Sequence, residues 1–179
     1  MSLYKKAEQF VIDAFGDDEK DILHGKRTVY WIKKLKPDAD EALLVAGIAH
    51  DIERAFNGDW KKGSNDPDAL QKHQDMSASE IEKFLKLEKV DKDIIEKVKM
   101  LVAHHEEGGN EEQNMLCDAD CLAFFEEKAL RLSKKYRQEG LSGLMKKKID
   151  YVFSRLTSSK AKKIAKKWYK EALMELDKK

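Results

Sequence analysis

Eight residues decide much of what this chain can fold into. Between Ala42 and Ala49 the sequence reads ALLVAGIA, apolar or small at every position. A helix without a polar face has to be surrounded on all sides, so this one belongs at the centre of a helical assembly. The run stops at His50 and Asp51. Burying an imidazole or a carboxylate without a partner is costly, and a metal ion would suit both groups at once.

The rest of the chain supplies the surroundings. Only two prolines and nine glycines interrupt 179 residues, and good helix formers fill most of the length. Apolar residues recur at helical spacing in a series of segments. These run from Leu3 to Phe15, from Glu19 to Leu35, over 38–56, and from Pro67 to Leu87. Asp91 can cap a fifth helix, which ends at Gly108 and Gly109. Three more helices are expected over 112–138, 141–156 and 158–177. No segment alternates as a strand does. The expected fold is all-α, one domain of about eight helices with a site at the centre: a metal-binding core over 1–138 and a basic helical extension over 139–179 packed on it. The longest irregular stretch, NGDWKKGSNDPD over 57–68, is expected to be a mobile segment over the site.

Charge narrows the class of partner. Lys+Arg total 35 and Asp+Glu 34, a formal net charge of +1. The balance conceals an asymmetry, because from Gly140 onward twelve basic residues face four acidic ones. A solvated amphipathic face is the first reading of that basic tail, and a nucleic-acid surface the lesser one. The longest apolar run falls far short of a membrane span, so no membrane partner is expected. The first residues lack a signal-peptide pattern. Cys117 and Cys121, one helical turn apart, read as packed thiols, and a reduced cytoplasmic setting is expected. Trp31, Trp168 and Tyr169 fall at spacings suited to the core, whereas Trp60 sits in the long polar loop, where it could stack on a base, cover the pocket or simply anchor the loop.

The five histidines are not scattered. His24 lies mid-helix in DILHGKRTVYW; His50 precedes Asp51; His73 lies in LQKHQDMSASEI; His104 and His105 stand together in VAHHEEGG. Downstream, Asp118 and Asp120 sit among apolar neighbours in LCDADCLAFF. Each of five successive helices thus offers imidazole or carboxylate, a ligand set suited to Mn, Fe, Co, Ni or Zn. No two of these residues share a local ligand spacing of the HExxH kind, so any site must be assembled by tertiary structure.

In that order the motifs resemble the HD-domain superfamily of metal-dependent phosphohydrolases. HGKRTVYW is similar to the family's first-helix HxxRV segment, and LLVAGIAHDIE to its signature helix ending in His-Asp. VAHHEEGG resembles its HHE segment and CDADCLAFF its final DxD/ADxL helix. The resemblance spans roughly residues 20–126. It implies His24, His50, Asp51 and Asp120 as ligands of a divalent ion (Mn, Fe, Co, Ni, Zn or Mg), with Asp118 as the alternative to Asp120. His73 and His104 or His105 are placed as the additional histidines of two-metal members are, and Asp51 would then bridge the ions. Two departures stand out: Arg54 occupies the position of a catalytic Glu found in several members, and Cys121 stands where many carry Lys or Arg.

What the resemblance implies is hydrolysis of a small phosphate ester or nucleotide, with metal-activated water as the nucleophile. Arg54, Arg27 and Lys72 are the expected substrate-orienting cations. Glu53, His105 and Glu106 are the expected proton-transfer groups. Two other outcomes fit the same residues: a diiron oxygenase of the same type, or a degenerate metal module whose basic C-terminal region binds RNA or protein.

Overall fold

The computed structural model describes residues 1–58 and 66–178. Among them are ten α-helices and one π-helical turn, and no strand. No described helix is long and apolar enough to cross a membrane.

The N-terminal helices are α1 (Leu3–Phe15), α2 (Glu19–Leu35), α3 (Glu41–Ala49), the single turn α4 (Arg54–Asn57), α5 (Pro67–Leu87) and α6 (Lys92–Val102). Their ends follow local chemistry. Asp18 and Asp40 accept backbone N–H groups at the starts of α2 and α3, and Pro67 opens α5 behind the cap Asp66. Gly108 and Gly109 both take positive φ, letting the chain reverse after α6. Asn110 and Gln113 then form a reciprocal capping box that starts α7 (Glu111–Ala123).

The remaining rods are α8 (Leu130–Gln138), α9 (Ser142–Arg155) and α10 (Ser159–Leu176). The expected single helix over 112–138 is one rod in two parts, since a π-turn at Phe124–Ala129 joins α7 to α8. With that rod counted once and α4 set aside as a single turn, eight rods remain among the described residues.

The apolar α3 is the hub, as its composition demands. Seven of its nine residues are buried, and it packs against α1, α2, α6 and α7. Its crossing with α2 is close, and glycine permits it on both sides. A Cβ on Gly25 would stand 2.7 Å from the Ile48 carbonyl oxygen, and one on Gly47 2.5 Å from Ile32 Cδ1. The same crossing puts His24, next to Gly25, beside His50.

Two apolar clusters result. One joins α1, α2, α3, α5 and α6 to one face of α7 through residues such as Val11, Ile32, Leu43, Ile81 and Leu101. The other joins Cys117, Cys121 and Leu122 of α7 to the π-turn and α8–α10, including Phe125, Met145 and Ile149. Trp31 packs against both, its indole N–H donating to Glu126 at 2.8 Å. Both cysteines are buried and free, as their spacing suggested.

Candidate metal centre

The helix expected over 38–56 stops at Ala49, and the stop builds the site. After Ala49 the chain takes tight turns, with Ile52 N–H bonded to the Ala49 carbonyl at 3.0 Å and Arg54 N–H to that of Asp51 at 3.1 Å. The Gly47 carbonyl meets the His50 ring at Nδ1, 3.0 Å away. Through these turns His50, Asp51, Ile52 and Glu53 are all buried in succession, continuing the buried run of α3.

Around Asp51 the imidazoles form two groups. On one side, ligand atoms of His24, His50 and Asp51 lie within 4.8 Å of one another; on the other, so do those of Asp51, His73 and His105. The two carboxylate oxygens divide this work. Oδ2 faces His24 Nε2 at 3.9 Å and His50 Nε2 at 3.7 Å. Oδ1 faces His73 Nε2 at 2.9 Å and His105 Nε2 at 3.8 Å. Asp120 joins the first group, its Oδ1 3.0 Å from His24 Nε2 and 3.5 Å from His50 Nε2. All six residues are buried.

The donor atoms fit a metal ion. With Nδ1–H of His50 donating to Gly47 and that of His105 to the Val102 carbonyl at 2.8 Å, each ring presents the Nε2 lone pair to the cluster. Both Nε2 atoms are buried without a hydrogen-bond partner. Buried polar atoms are ordinarily satisfied, and two unsatisfied imidazole nitrogens facing two carboxylates form a group that could hold a cation. His73 is held in the manner of a metal ligand, its Nδ1 2.8 Å from Glu53 Oε1.

Charges in the cluster are strongly perturbed. Burial opposes ionisation of Asp51, but Arg54, His50 and His73 outweigh it and hold its pKa well below the carboxylate range. Asp120 is likewise held down, against burial, by Arg155 and its histidine contacts. Burial, helped by Lys128, lowers the pKa of His24 to about 4. Burial also opposes a charge on His73, yet its hydrogen bonds to Asp51 and Glu53 raise it to about 9.

Not every expected residue reaches the centre. Asp118 points the other way: one oxygen accepts Thr157 N–H at 2.6 Å and the Thr157 hydroxyl at 3.1 Å, and the other accepts Ser158 N–H at 3.1 Å. It ties α7 to the start of α10, because residues two apart on a helix face nearly opposite sides. His104 is partly exposed and turned away from the cluster, paired with Glu107 at 2.9 Å. Its neighbour His105, expected as a proton-transfer group, takes the inward place. Glu53, also expected in proton transfer, is bonded to His73 Nδ1 and Asn57 Nδ2 and does not line the cleft. Arg27 grips Glu126, with Nε at 3.0 Å, and Lys72 lines a shallow groove on α5 instead of the central cleft. Trp60 and most of its loop lie outside the described residues.

Arg54 and Glu106 do border the cleft, which has a cavity volume of about 130 Å³ and opens onto His24, Asp51, His73 and Asp120. Arg54 Nη1 sits 2.7 Å from Asp51 Oδ2. Composition did not reveal Arg155, at the end of α9. It donates to the His105 and Glu106 carbonyls at 3.0 and 2.7 Å and to Asp120 Oδ2 at 2.9 Å, and pairs with Glu106 Oε2 at 3.1 Å. Lys128, Lys148 and Tyr151 also line the cleft. The only sequence signal for these was that they are basic or aromatic residues at helical spacing, which surface residues share.

Neither a curated protein nor a solved structure matches the chain. A family model does, over residues 7–175, which takes in every cluster residue and all but the ends of the helical fold. The chain therefore belongs to the family described as "Domain of unknown function (DUF4202)".

Proposed function

We propose that this protein is a metal-dependent phosphohydrolase of the HD-domain type, acting on a small phosphate ester or nucleotide. One observation carries the reading: Asp51 offers one oxygen to each of two buried histidine pairs, at the floor of a cleft rimmed by cations. His24, His50, Asp51 and Asp120 would hold one divalent ion, and Asp51, His73 and His105 a second. Such ions supply Lewis acidity toward a phosphoryl oxygen and bring the pKa of water toward neutrality.

The chain's own groups set the stage for that chemistry. Glu53 fixes the ring of His73, and Arg155 holds Asp120 while restraining the turn that carries His105. Arg54 compensates the charge of Asp51 and stands where developing phosphoryl charge would be stabilised. Glu106, bordering the cleft 3.8 Å from His105 Nε2, is the carboxylate best placed to pass a proton to a leaving oxygen.

A diiron oxygenase would use the same pair of ligand groups. Four cationic side chains around the cleft favour a phosphate substrate over a neutral one. The deciding experiment is elemental analysis of the purified protein, then phosphate release from a panel of phosphorylated metabolites with Mn, Co or Ni. Asp51→Ala should lose both bound metal and phosphate release while keeping its helical circular dichroism. Stoichiometric metal retained in that variant would end the proposal; two irons with O₂ consumption and no phosphate release would favour the oxygenase.

A further inference from the structure

The cleft is lined by four cations, and three of them already have anionic partners. Arg54 pairs with Asp51, Arg155 with Asp120 and Glu106, and Lys128 with Asp21 at 3.3 Å. Lys148, half-buried on α9, forms no ion pair among the described residues. Its ammonium stands 5.9 Å from the centre of the Phe124 ring, against which it leans. Burying a lysine without a counter-ion is unfavourable, and this one is drawn into a cleft with two other cations nearby. Burial, with Arg54 and Lys128, pushes its pKa down, and the carboxylates of Glu106 and Asp51 offset this only in part.

We propose that Lys148 is the phosphoryl-binding cation of this cleft and that the ligand is a phosphomonoester dianion of a small molecule, seated between α9 and the histidine–aspartate cluster. This rests on the hydrolase reading and extends it to the substrate. The dianion supplies the counter-charge that Lys148 lacks. Tyr151, one turn further along α9 and also lining the cleft, offers a hydroxyl to the same group. The cavity, about 130 Å³, is near the roughly 150 Å³ of an apolar cavity that accepts benzene. It has room for a phosphoryl group and a few attached atoms, and Phe124, Leu132 and Val152, which also line it, offer apolar surface to the rest of the ligand. On this reading the basic C-terminal stretch contributes a side chain to the site itself.

Inorganic phosphate is the probe. Calorimetric titration of metal-loaded protein should show phosphate binding that weakens about tenfold in Lys148→Met, which keeps the apolar stem, and is unchanged in Lys147→Gln on the exposed face. Metal content should be equal in all three. In the unsubstituted protein, saturating phosphate should shield Lys148, but not Lys147, from reductive methylation read by peptide mass spectrometry; this arm does not depend on a variant folding. Wild-type phosphate affinity in Lys148→Met, no phosphate binding at all, or no protection of Lys148 would each overturn the assignment. If metal is absent yet phosphate binding still depends on Lys148, the hydrolase reading falls and the anion site stands. Normal metal loading with phosphate binding indifferent to Lys148 gives the reverse.

Discussion

Gly25→Ala places a single methyl where α2 meets α3, and its effect on the site can be worked out from the contact. The added Cβ would lie 2.7 Å from the Ile48 carbonyl oxygen, about 0.7 Å inside the 3.4 Å at which ordinary contact begins. A backbone oxygen in a buried helix cannot swing aside, so α2 has to move as a unit. Overpacking of this kind costs typically about 1–3 kcal/mol. Replacing glycine by alanine inside a helix recovers about 1 kcal/mol of propensity, so the net loss of stability should be roughly 0–2 kcal/mol.

Metal binding should suffer more than stability. His24 is adjacent in sequence to Gly25 and would be carried away from Asp51 and Asp120 by about the displacement of α2. Metal sites tolerate about 0.2 Å in ligand distance, and disturbing the groups that position ligands costs about 10–100-fold in affinity. Urea unfolding of metal-free protein measures the first effect, and competition with a chromogenic chelator measures the second. Gly47→Ala is the comparison: its new methyl meets side chains only, Ile32 Cδ1 at 2.5 Å and Val29 Cγ2 at 3.3 Å, which can give where a backbone oxygen cannot, so it should retain more metal affinity. Equal metal affinity in Gly25→Ala and the unsubstituted protein would refute the claim that this crossing sets the site.

Other outcomes follow from the same geometry. Asp118→Ala strands two backbone N–H groups and a hydroxyl, which should cost roughly 2–4 kcal/mol in urea unfolding while leaving metal content intact. Asp120→Asn should lower metal content; equal metal loss in both variants would contradict the assignment of the two aspartates. In metal-free protein, His73 is raised from 6.5 to about 9, so its contribution to stability is complete below pH 6.5 and lost as pH rises through 9. His24 is lowered from 6.5 to about 4, so its contribution is present above pH 6.5 and lost as pH falls toward 4. Stability from these two groups should therefore peak near pH 6.5, a profile that denaturant melts across pH 4–9 would test. Metal must displace the proton on His73, so binding at pH 7 should release about one proton, measurable by calorimetry in buffers of different ionisation enthalpy.

Helix boundaries were legible where chemistry is local. Leu3–Phe15, Glu19–Leu35 and Pro67–Leu87 end where caps, glycine and proline end them. The break after Ala49 was not legible, because it depends on a ring-to-carbonyl contact and on the packing that buries four consecutive residues. His50–Asp51 announced itself by interrupting an apolar run. The choice of His105 over His104 did not, since adjacent residues in one turn differ only in which way the backbone faces them.

Sequence alone determined that the chain is helical, that ALLVAGIA lies at its centre, and that imidazoles and carboxylates are strung along successive helices, because each depends on residue type and spacing. Tertiary structure decided which of them meet. It divided Asp51 between two histidine pairs, turned Asp118 to the start of α10, and brought Arg155 and Lys148 from the C-terminal rods to the cleft. Those outcomes depend on how rods cross, here on two glycines that let α2 and α3 approach, and crossing geometry is a property of packed surfaces that no single segment encodes.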